Sequence, residues 1–212
     1  TSARKQGIAH PIVAGAIPFD VAQPAALFIP ESWQRFNRDD LIARASLADA
    51  DLPVIRRRTA LPDQARFTDM VAQAVAATRR GDLEKVVLSR LMEIVAEQPV
   101  DTAALMQRIV VQNPGSYHFH LPLPGGGALV GASPELLIRK QGRLFSSCPL
   151  AGSAARSHDP QRDRASGDSL MQSAKDRHEH QLVTDAMRAT LQPRSRLLSV
   201  PETPSLLTTA TL

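Results

Sequence analysis

The segment Lys175–His180 places several side chains capable of chemistry in one stretch of helical periodicity. Residues three, four and seven apart share a helix face, so Glu179 lies on the same side as the apolar residues that follow it. That apolar stripe is made of Leu182, Val183, Ala186, Met187, Thr190 and Leu191. A carboxylate on an inward-facing stripe is costly unless it is paired or binds a metal. Glu179 is therefore a candidate metal ligand, and an internal salt bridge is the alternative.

The two histidines beside Glu179 bear on the identity of the metal. His178 and His180 are two residues apart, so they point to different sides of a helix and do not form the His-Glu-x-x-His pattern of zinc sites. A single carboxylate suits Mg²⁺, which takes one or two carboxylates and completes its shell with water and substrate oxygens. The pattern favours magnesium over zinc.

Two other ionisable residues stand at the starts of predicted strands. Lys85 opens a strand predicted over 85–95, where a lysine either extends to water or, in dry surroundings, loses its charge and becomes a general base. Glu135 follows the tight turn 131–134 and enters the next strand. It is either an ordinary turn acid facing solvent or a general acid held by a rigid turn.

The segment Pro149–Ala154 is a third candidate, because it follows a predicted strand and contains Gly152 and Ser153. Backbone N–H groups of such a loop can bind an anion, although many turns have this composition. Cys148 has no partner for nucleophilic catalysis and is predicted to be a small buried residue.

The helices that must position these residues follow from apolar periodicity and capping residues. They are predicted over 63–80, with Asp63 as N-cap and Gly81 as stop, over 102–112, with Asp101 as N-cap, and over 162–192.

Strands are predicted over 12–19, 117–121 and 128–131, and a hairpin over 136–147 turns at Gln141–Gly142. The residues 37–60 are predicted to form a surface connection or a peripheral strand. Because helices and strands segregate rather than alternate strictly, the fold class is α+β, with a largely antiparallel sheet flanked by helices.

Composition narrows the class of protein. The 212 residues suffice for one large domain or two small ones, and the single cysteine is compatible with a cytoplasmic location. No apolar run approaches the roughly 20 residues of a membrane span, so no membrane partner is expected. The net charge of +4 is scattered apart from Arg56–Arg58 and lacks interleaved aromatics, which argues against nucleic acid and suits a small polyanionic substrate.

Taken together, these segments resemble the chorismate-utilising enzymes, most closely the isochorismate synthases of siderophore biosynthesis. The matching blocks occur in family order over nearly the whole chain. They are KVVLSR at 85–90, QNP at 112–114, GASPELL at 131–137, PLAGSA at 149–154 and KDRHEH at 175–180. The blocks at 15–20 and 29–33 are similar to the enterobactin-type branch.

The resemblance implies a role for each candidate residue. Lys85 corresponds to the general base that activates water for attack at C2 of chorismate, and Glu135 to the general acid that helps the C4 hydroxyl leave. Glu179 corresponds to a ligand of Mg²⁺. Gly152, with Ser153 beside it, corresponds to a backbone contact near the substrate carboxylate.

Two positions distinguish branches of the family. Ammonia-using relatives carry glutamine where Lys85 stands, and one type of aminodeoxychorismate synthase carries a nucleophilic lysine at the position of Ala151. The pair Lys85 and Ala151 therefore implies water as the nucleophile. Salicylate synthases share Lys85, so a salicylate synthase and a menaquinone-pathway isochorismate synthase remain alternatives.

The chain departs from the family in its length, because family members are nearly twice as long. The resemblance implies one incomplete chorismate-binding domain over 1–212, with 1–60 as a peripheral N-terminal segment and 61–212 as the first part of the catalytic core. Because the sequence begins at Thr1 and stops within a block that normally continues, truncation at both ends is expected, with the C-terminal half missing. The expected consequence is an inactive fragment of a chorismate-using enzyme, with an isochorismatase as a possible downstream partner; a non-catalytic binding remnant is the alternative of another class.

Overall fold

A computed structural model describes residues 11–37 and 53–212. The strands are β1 Ala14–Ala16, β2 Ala26–Phe28, β3 Ile55–Leu61, β4 Leu91–Ala96, β5 Tyr117–Pro122, β6 Ala128–Ser133, β7 Leu136–Gln141 and β8 Leu144–Cys148. The helices are α1 Gln64–Arg80, α2 Thr102–Gln112, α3 Pro160–Gln172 and α4 Ala174–Leu191, with a short 3-10 turn at Gln192–Arg194. Consecutive strands pair antiparallel as β1–β2, β3–β4, β5–β6 and β7–β8. The predicted α+β class with antiparallel pairing is confirmed, and most of the predicted connection at 37–60 lies outside the described residues.

The chain divides into two compact units. One comprises the described residues of Thr1–Asp51 together with Asp101–Pro134, and the other comprises Leu52–Val100 together with Glu135–Leu212. The second unit contains β3, α1, β4, β7, β8, α3 and α4. One domain over 1–212 with a boundary at residue 60 stays a prediction.

The first two helices have the predicted bounds because their caps act as expected. The Asp63 carboxylate accepts a hydrogen bond from the Arg66 N–H at 2.8 Å, and the Asp101 carboxylate accepts from the N–H groups of Ala103 and Ala104. Gly81 ends α1 with φ +80°, a left-handed conformation that glycine adopts without steric cost.

The strand predicted over 85–95 is wrong in its first half. Residues 85–90 are irregular, and β4 begins at Leu91, which pairs with Leu61 at the end of β3. In this register the next residues to face each other would be Pro62 and Arg90, and a proline has no N–H to donate to the ladder. Lys85 therefore precedes the strand by six residues rather than opening it.

The predicted hairpin is confirmed as β7–β8. Gly142 has φ +57° in its turn, and the Ser147 hydroxyl donates to the carbonyl of Leu136 at 3.1 Å or of Leu137 at 2.7 Å. Glu135 directly precedes β7, as expected. Cys148, which ends β8, is exposed, so its prediction as a buried residue is wrong.

The single long helix predicted over 162–192 is two helices. Ser173, with φ −64° and ψ 112°, interrupts it, and its hydroxyl accepts a hydrogen bond from the Asp176 N–H at 3.2 Å. A serine hydroxyl that caps a helix satisfies an N–H group that would otherwise have no partner, so α4 begins as a separate helix. The break places Lys175 and Asp176 in the first turn of α4.

The apolar surfaces of these elements are only partly covered. Among the described residues, no large side chain is fully buried. On α4, Glu179, Leu182, Val183 and Met187 are half-buried, whereas Ala186 is exposed. The predicted strand over 12–19 is restricted to the three residues of β1.

Candidate functional site

The five predicted site residues all lie in the second compact unit. They are Lys85, Glu135, Gly152, Ser153 and Glu179. Lys85, Gly152 and Glu179 are half-buried, whereas Glu135 and Ser153 are exposed. The contacts described below connect the segments of Glu135, Gly152 and Glu179, but within residues 11–37 and 53–212 no hydrogen bond or ion pair joins Lys85 to the other four.

Glu135 contacts the loop that contains Gly152. Its Oε1 accepts a hydrogen bond from the Leu150 N–H at 3.4 Å, which is the long end of the range for such bonds. This bond holds the carboxylate beside residues 149–154, so two predicted candidates that are separated in sequence are close together.

Gly152 in turn lies against the first turn of α4. Its φ is +78°, and a β-carbon built on it would lie 3.0 Å from Asp176 Cβ and 3.3 Å from Asp176 Oδ1. Glycine is thus required for its backbone conformation and for its close approach to Asp176. The glycine therefore lets the backbone of this loop approach the Asp176 carboxylate more closely than a residue with a side chain could.

Asp176 and Glu179 share one cationic partner. Lys175 Nζ lies 3.2 Å from Asp176 Oδ1 and 3.2 Å from Glu179 Oε2, while the two carboxylate side chains are 22% and 28% exposed. Hydrogen bonding with the Ser173 side chain, followed by the Lys175 ammonium, lowers the pKa of Asp176. The hydrogen bonds to Glu179 and Asp176 raise the pKa of Lys175. The salt bridge considered for Glu179 from the sequence is therefore present.

The same contacts test whether Mg²⁺ fits. Among the described residues no group of three or more His, Cys, Asp or Glu side chains could hold a metal. However, two carboxylates converge on one ammonium, so the pair can bind a cation, and the backbone of Gly152 packs directly against Asp176. Two carboxylates with substrate and water oxygens are a donor set that suits Mg²⁺. Asp176 and Glu179 are the residues that would hold it.

Sequence reasoning missed Asp176 as a functional candidate. The signal was present in the Ser-x-x-Asp spacing of Ser173 and Asp176, which is typical of a capped helix start. It was hidden because the apolar periodicity continues across Ser173 and predicts one uninterrupted helix.

The basic cluster at 56–58 is partly neutralised on the surface of β3. Arg57 Nη2 lies 3.0 Å from Glu93 Oε2, and Arg56 Nε lies 3.6 Å from Glu97 Oε1. These ion pairs with β4 and the strand end reduce the positive field that a polyanion would meet.

None of the helices within the described ranges has the length and apolar character needed to cross a membrane.

Comparison with known proteins identifies the family. The sequence profile described as chorismate binding enzyme matches residues 18–212. The chain belongs to this family. It is 51% identical over 212 residues to isochorismate synthase EntC of Escherichia coli K12, covering 99% of this chain and 54% of that protein. It is 36% identical to isochorismate synthase DhbC of Bacillus subtilis, again covering 99% of this chain and 54% of the relative.

Solved structures agree with the family fold. The structure described as a 2,3-dihydroxybenzoate-specific isochorismate synthase, DhbC, of Bacillus anthracis matches with a TM-score of 0.86 at 34% identity, over 99% of this chain and 54% of that one. MenF, the menaquinone-specific isochorismate synthase of Escherichia coli, matches in fold with a TM-score of 0.69 at 24% identity, over 90% and 50% of the two chains. The chain spans about half the length of the relatives it matches.

Proposed function

We propose that the protein is an isochorismate synthase, which converts chorismate to isochorismate by adding water at C2 and removing the hydroxyl at C4. The observation that carries the proposal is the 51% identity to EntC. The matched region covers 99% of this chain and therefore spans the positions of all five candidate residues. Because the chain spans 54% of that relative, the proposal concerns a form of the protein with the relatives' full length.

The chemistry requires a base and an acid. Water is a poor nucleophile, so Lys85 takes a proton from it as the water oxygen bonds to C2. Hydroxide is a poor leaving group, so Glu135 donates a proton to the C4 oxygen as that bond breaks and the ring double bond shifts. One proton enters Lys85 and one leaves Glu135, so substrate and product are isomers.

Substrate binding needs groups that hold its carboxylates. The backbone of Gly152 and Ser153 offers N–H donors, and the glycine at 152 allows this loop to lie against Asp176. Asp176 and Glu179 would hold Mg²⁺, which neutralises the dianionic substrate and fixes its orientation when bound. Lys175 must release the two carboxylates for that to occur, and its side chain is 73% exposed, so it can turn to solvent.

The choice of nucleophile is assigned by two residues. Lys85 and Ala151 together favour water over ammonia, through the resemblance described above. A salicylate synthase is the second candidate, since it shares Lys85 and would release pyruvate. The blocks at 15–20 and 29–33 favour siderophore biosynthesis, with an isochorismatase acting on the product, over the menaquinone pathway. The single cysteine supports a cytoplasmic location.

A coupled assay tests the proposal. The full-length protein is incubated with chorismate and Mg²⁺, and isochorismate is measured through an added isochorismatase. A parallel sample lacks the isochorismatase, and lactate dehydrogenase detects any pyruvate released in it. Isochorismate without pyruvate in that parallel sample supports an isochorismate synthase. Release of pyruvate with salicylate would support the salicylate synthase instead.

We also propose that the 212-residue chain does not turn over chorismate alone. Apolar side chains on the strand pairs β3–β4 and β7–β8 of the second unit are largely exposed: Leu91 is 71% exposed, Leu137 80% and Leu144 78%. Such surfaces favour packing against further protein. The test is turnover by a 212-residue preparation whose intact mass has been verified, and robust isochorismate formation would contradict the proposal. If the full-length form is also inactive and does not bind chorismate with Mg²⁺, the alternative of a non-catalytic remnant is favoured.

A further inference from the structure

The loop 149–159 connects β8 to α3 without regular secondary structure. A loop that must present backbone N–H groups in a fixed direction needs its ends held by other residues, since it has no ladder or helix hydrogen bonds of its own. The Glu135–Leu150 hydrogen bond restrains its beginning, and the contact of Gly152 with Asp176 restrains its middle. Its second half is held by Arg156.

Arg156 joins three segments of the second unit. Its Nε donates to Asp163 Oδ1 at 2.8 Å, in the first turns of α3, and its Nη1 donates to the Thr209 carbonyl at 2.8 Å. Its backbone N–H donates to the Thr211 carbonyl at 3.1 Å. The loop, the start of α3 and the segment 209–211 are therefore fastened together through one residue.

Asp163 completes this arrangement. Its Oδ1 also accepts a hydrogen bond from the Ser157 N–H at 2.9 Å, so a single carboxylate oxygen holds both the side chain of Arg156 and the backbone of the next residue. One turn further along α3, the Ser166 hydroxyl donates to the Ala155 carbonyl at 3.0 Å. The three consecutive residues 155–157 are all hydrogen-bonded to α3.

The Arg156–Asp163 ion pair is less exposed than the Arg66–Asp69 pair of α1. The Arg156 and Asp163 side chains are 37% and 25% exposed, whereas both partners of the Arg66–Asp69 pair are more than half exposed. The hydrogen bond to Asp163 raises the pKa of Arg156, and the same bond lowers the pKa of Asp163. Short, charge-assisted hydrogen bonds in partly covered surroundings fix geometry better than exposed pairs do.

We propose that Arg156, held by Asp163, is a positioning residue that fixes the loop 149–159 so that the N–H groups of Gly152 and Ser153 face the substrate carboxylate. This inference rests on the proposed function, because that function assigns the carboxylate to Gly152 and Ser153. A lysine cannot replace Arg156, since one ammonium lacks the planar fork that reaches Asp163 and Thr209 at once.

The test compares Arg156→Lys and Arg156→Gln with Arg164→Gln in the full-length protein. Arg164 is the matched control, because it is an exposed arginine that lies next to Asp163 in α3. We expect Arg156→Lys and Arg156→Gln to raise KM for chorismate by about 10- to 100-fold with a smaller change in kcat, because the loss is one of substrate placement. Arg164→Gln should leave both constants unchanged.

Amide hydrogen exchange of residues 150–157 supplies a readout that does not depend on turnover. Exchange there should become about tenfold faster in Arg156→Gln and unchanged in Arg164→Gln. Unchanged exchange in Arg156→Gln would overturn the inference, and so would faster exchange with an unchanged KM. If the wild-type protein does not convert chorismate, the proposed function fails, and the role of Arg156 in positioning the substrate fails with it. The exchange result still decides whether Arg156 orders the loop. Asp163→Asn, which keeps the shape of the pair, provides the same comparison should the Arg156 variants not fold.

Discussion

The backbone of Gly152 lies so close to Asp176 that a β-carbon at residue 152 would be 3.0 Å from Asp176 Cβ. This contact brings the loop after β8 against the first turn of α4, where Lys175 holds Asp176 and Glu179 together. Two blocks that are separate in sequence thereby lie together in the candidate site.

Gly152→Ala should therefore lower the free energy of unfolding by more than the left-handed backbone conformation of residue 152 alone would explain. The φ of +78° accounts for about 1–2 kcal/mol of the free energy of unfolding, and the contact with Asp176 should add to it. Gly81→Ala is the matched control, because Gly81 has φ +80° and nothing within 4 Å of a built β-carbon. Urea unfolding of both variants measures the difference, and equal losses would contradict a steric role for Asp176.

Lys85→Ala should abolish water addition without removing the metal site. Loss of a general base lowers kcat by about 10²–10⁴-fold, whereas Lys85 has no described contact with Asp176 or Glu179. The measurement is kcat in the coupled assay together with Mg²⁺ binding by calorimetry. Equal loss of Mg²⁺ binding would indicate that Lys85 is structural.

Glu179→Gln should have the reverse effect. Removing a ligand charge should weaken Mg²⁺ binding by at least about tenfold, so activity should return in part at high Mg²⁺. A titration of rate against Mg²⁺ concentration checks this, with Glu202→Gln, an exposed carboxylate outside the site, as the control. A drop in kcat that no Mg²⁺ concentration restores would argue against a ligand role.

Asp163→Asn should reduce the loss of stability in acid. The Arg156 hydrogen bond lowers the pKa of folded Asp163 below its ordinary value of 3.8, so folded Asp163 binds its proton less readily than the unfolded chain does. The stabilisation is therefore present above pH 3.8 and is lost as the pH falls through the folded pKa. Thermal unfolding between about pH 2 and 6 should show a shallower acid decline in Asp163→Asn, after correction for its lower stability at neutral pH. An unchanged slope would mean that this pair does not contribute to acid sensitivity.

Local patterns predicted the elements whose limits depend on nearby residues. The bounds of α1 and α2 followed from Asp63, Gly81 and Asp101, because caps act through hydrogen bonds and dihedral preferences within one turn. The hairpin β7–β8 followed from Gly142 for the same reason. Misplaced limits arose where a distant partner decides: Lys85 lies outside β4 because Pro62, which follows the facing strand β3, cannot extend the ladder.

By itself, the sequence determined the family, the α+β class and the identity of the candidate residues, since these are carried by motifs and periodicity. Only the tertiary structure decided which residues meet. It joined Glu135 to Leu150, Gly152 to Asp176 and Arg156 to Thr209. The physical reason is that periodicity reports which face a side chain occupies, whereas contacts between segments tens of residues apart depend on how loops and helix starts pack in three dimensions.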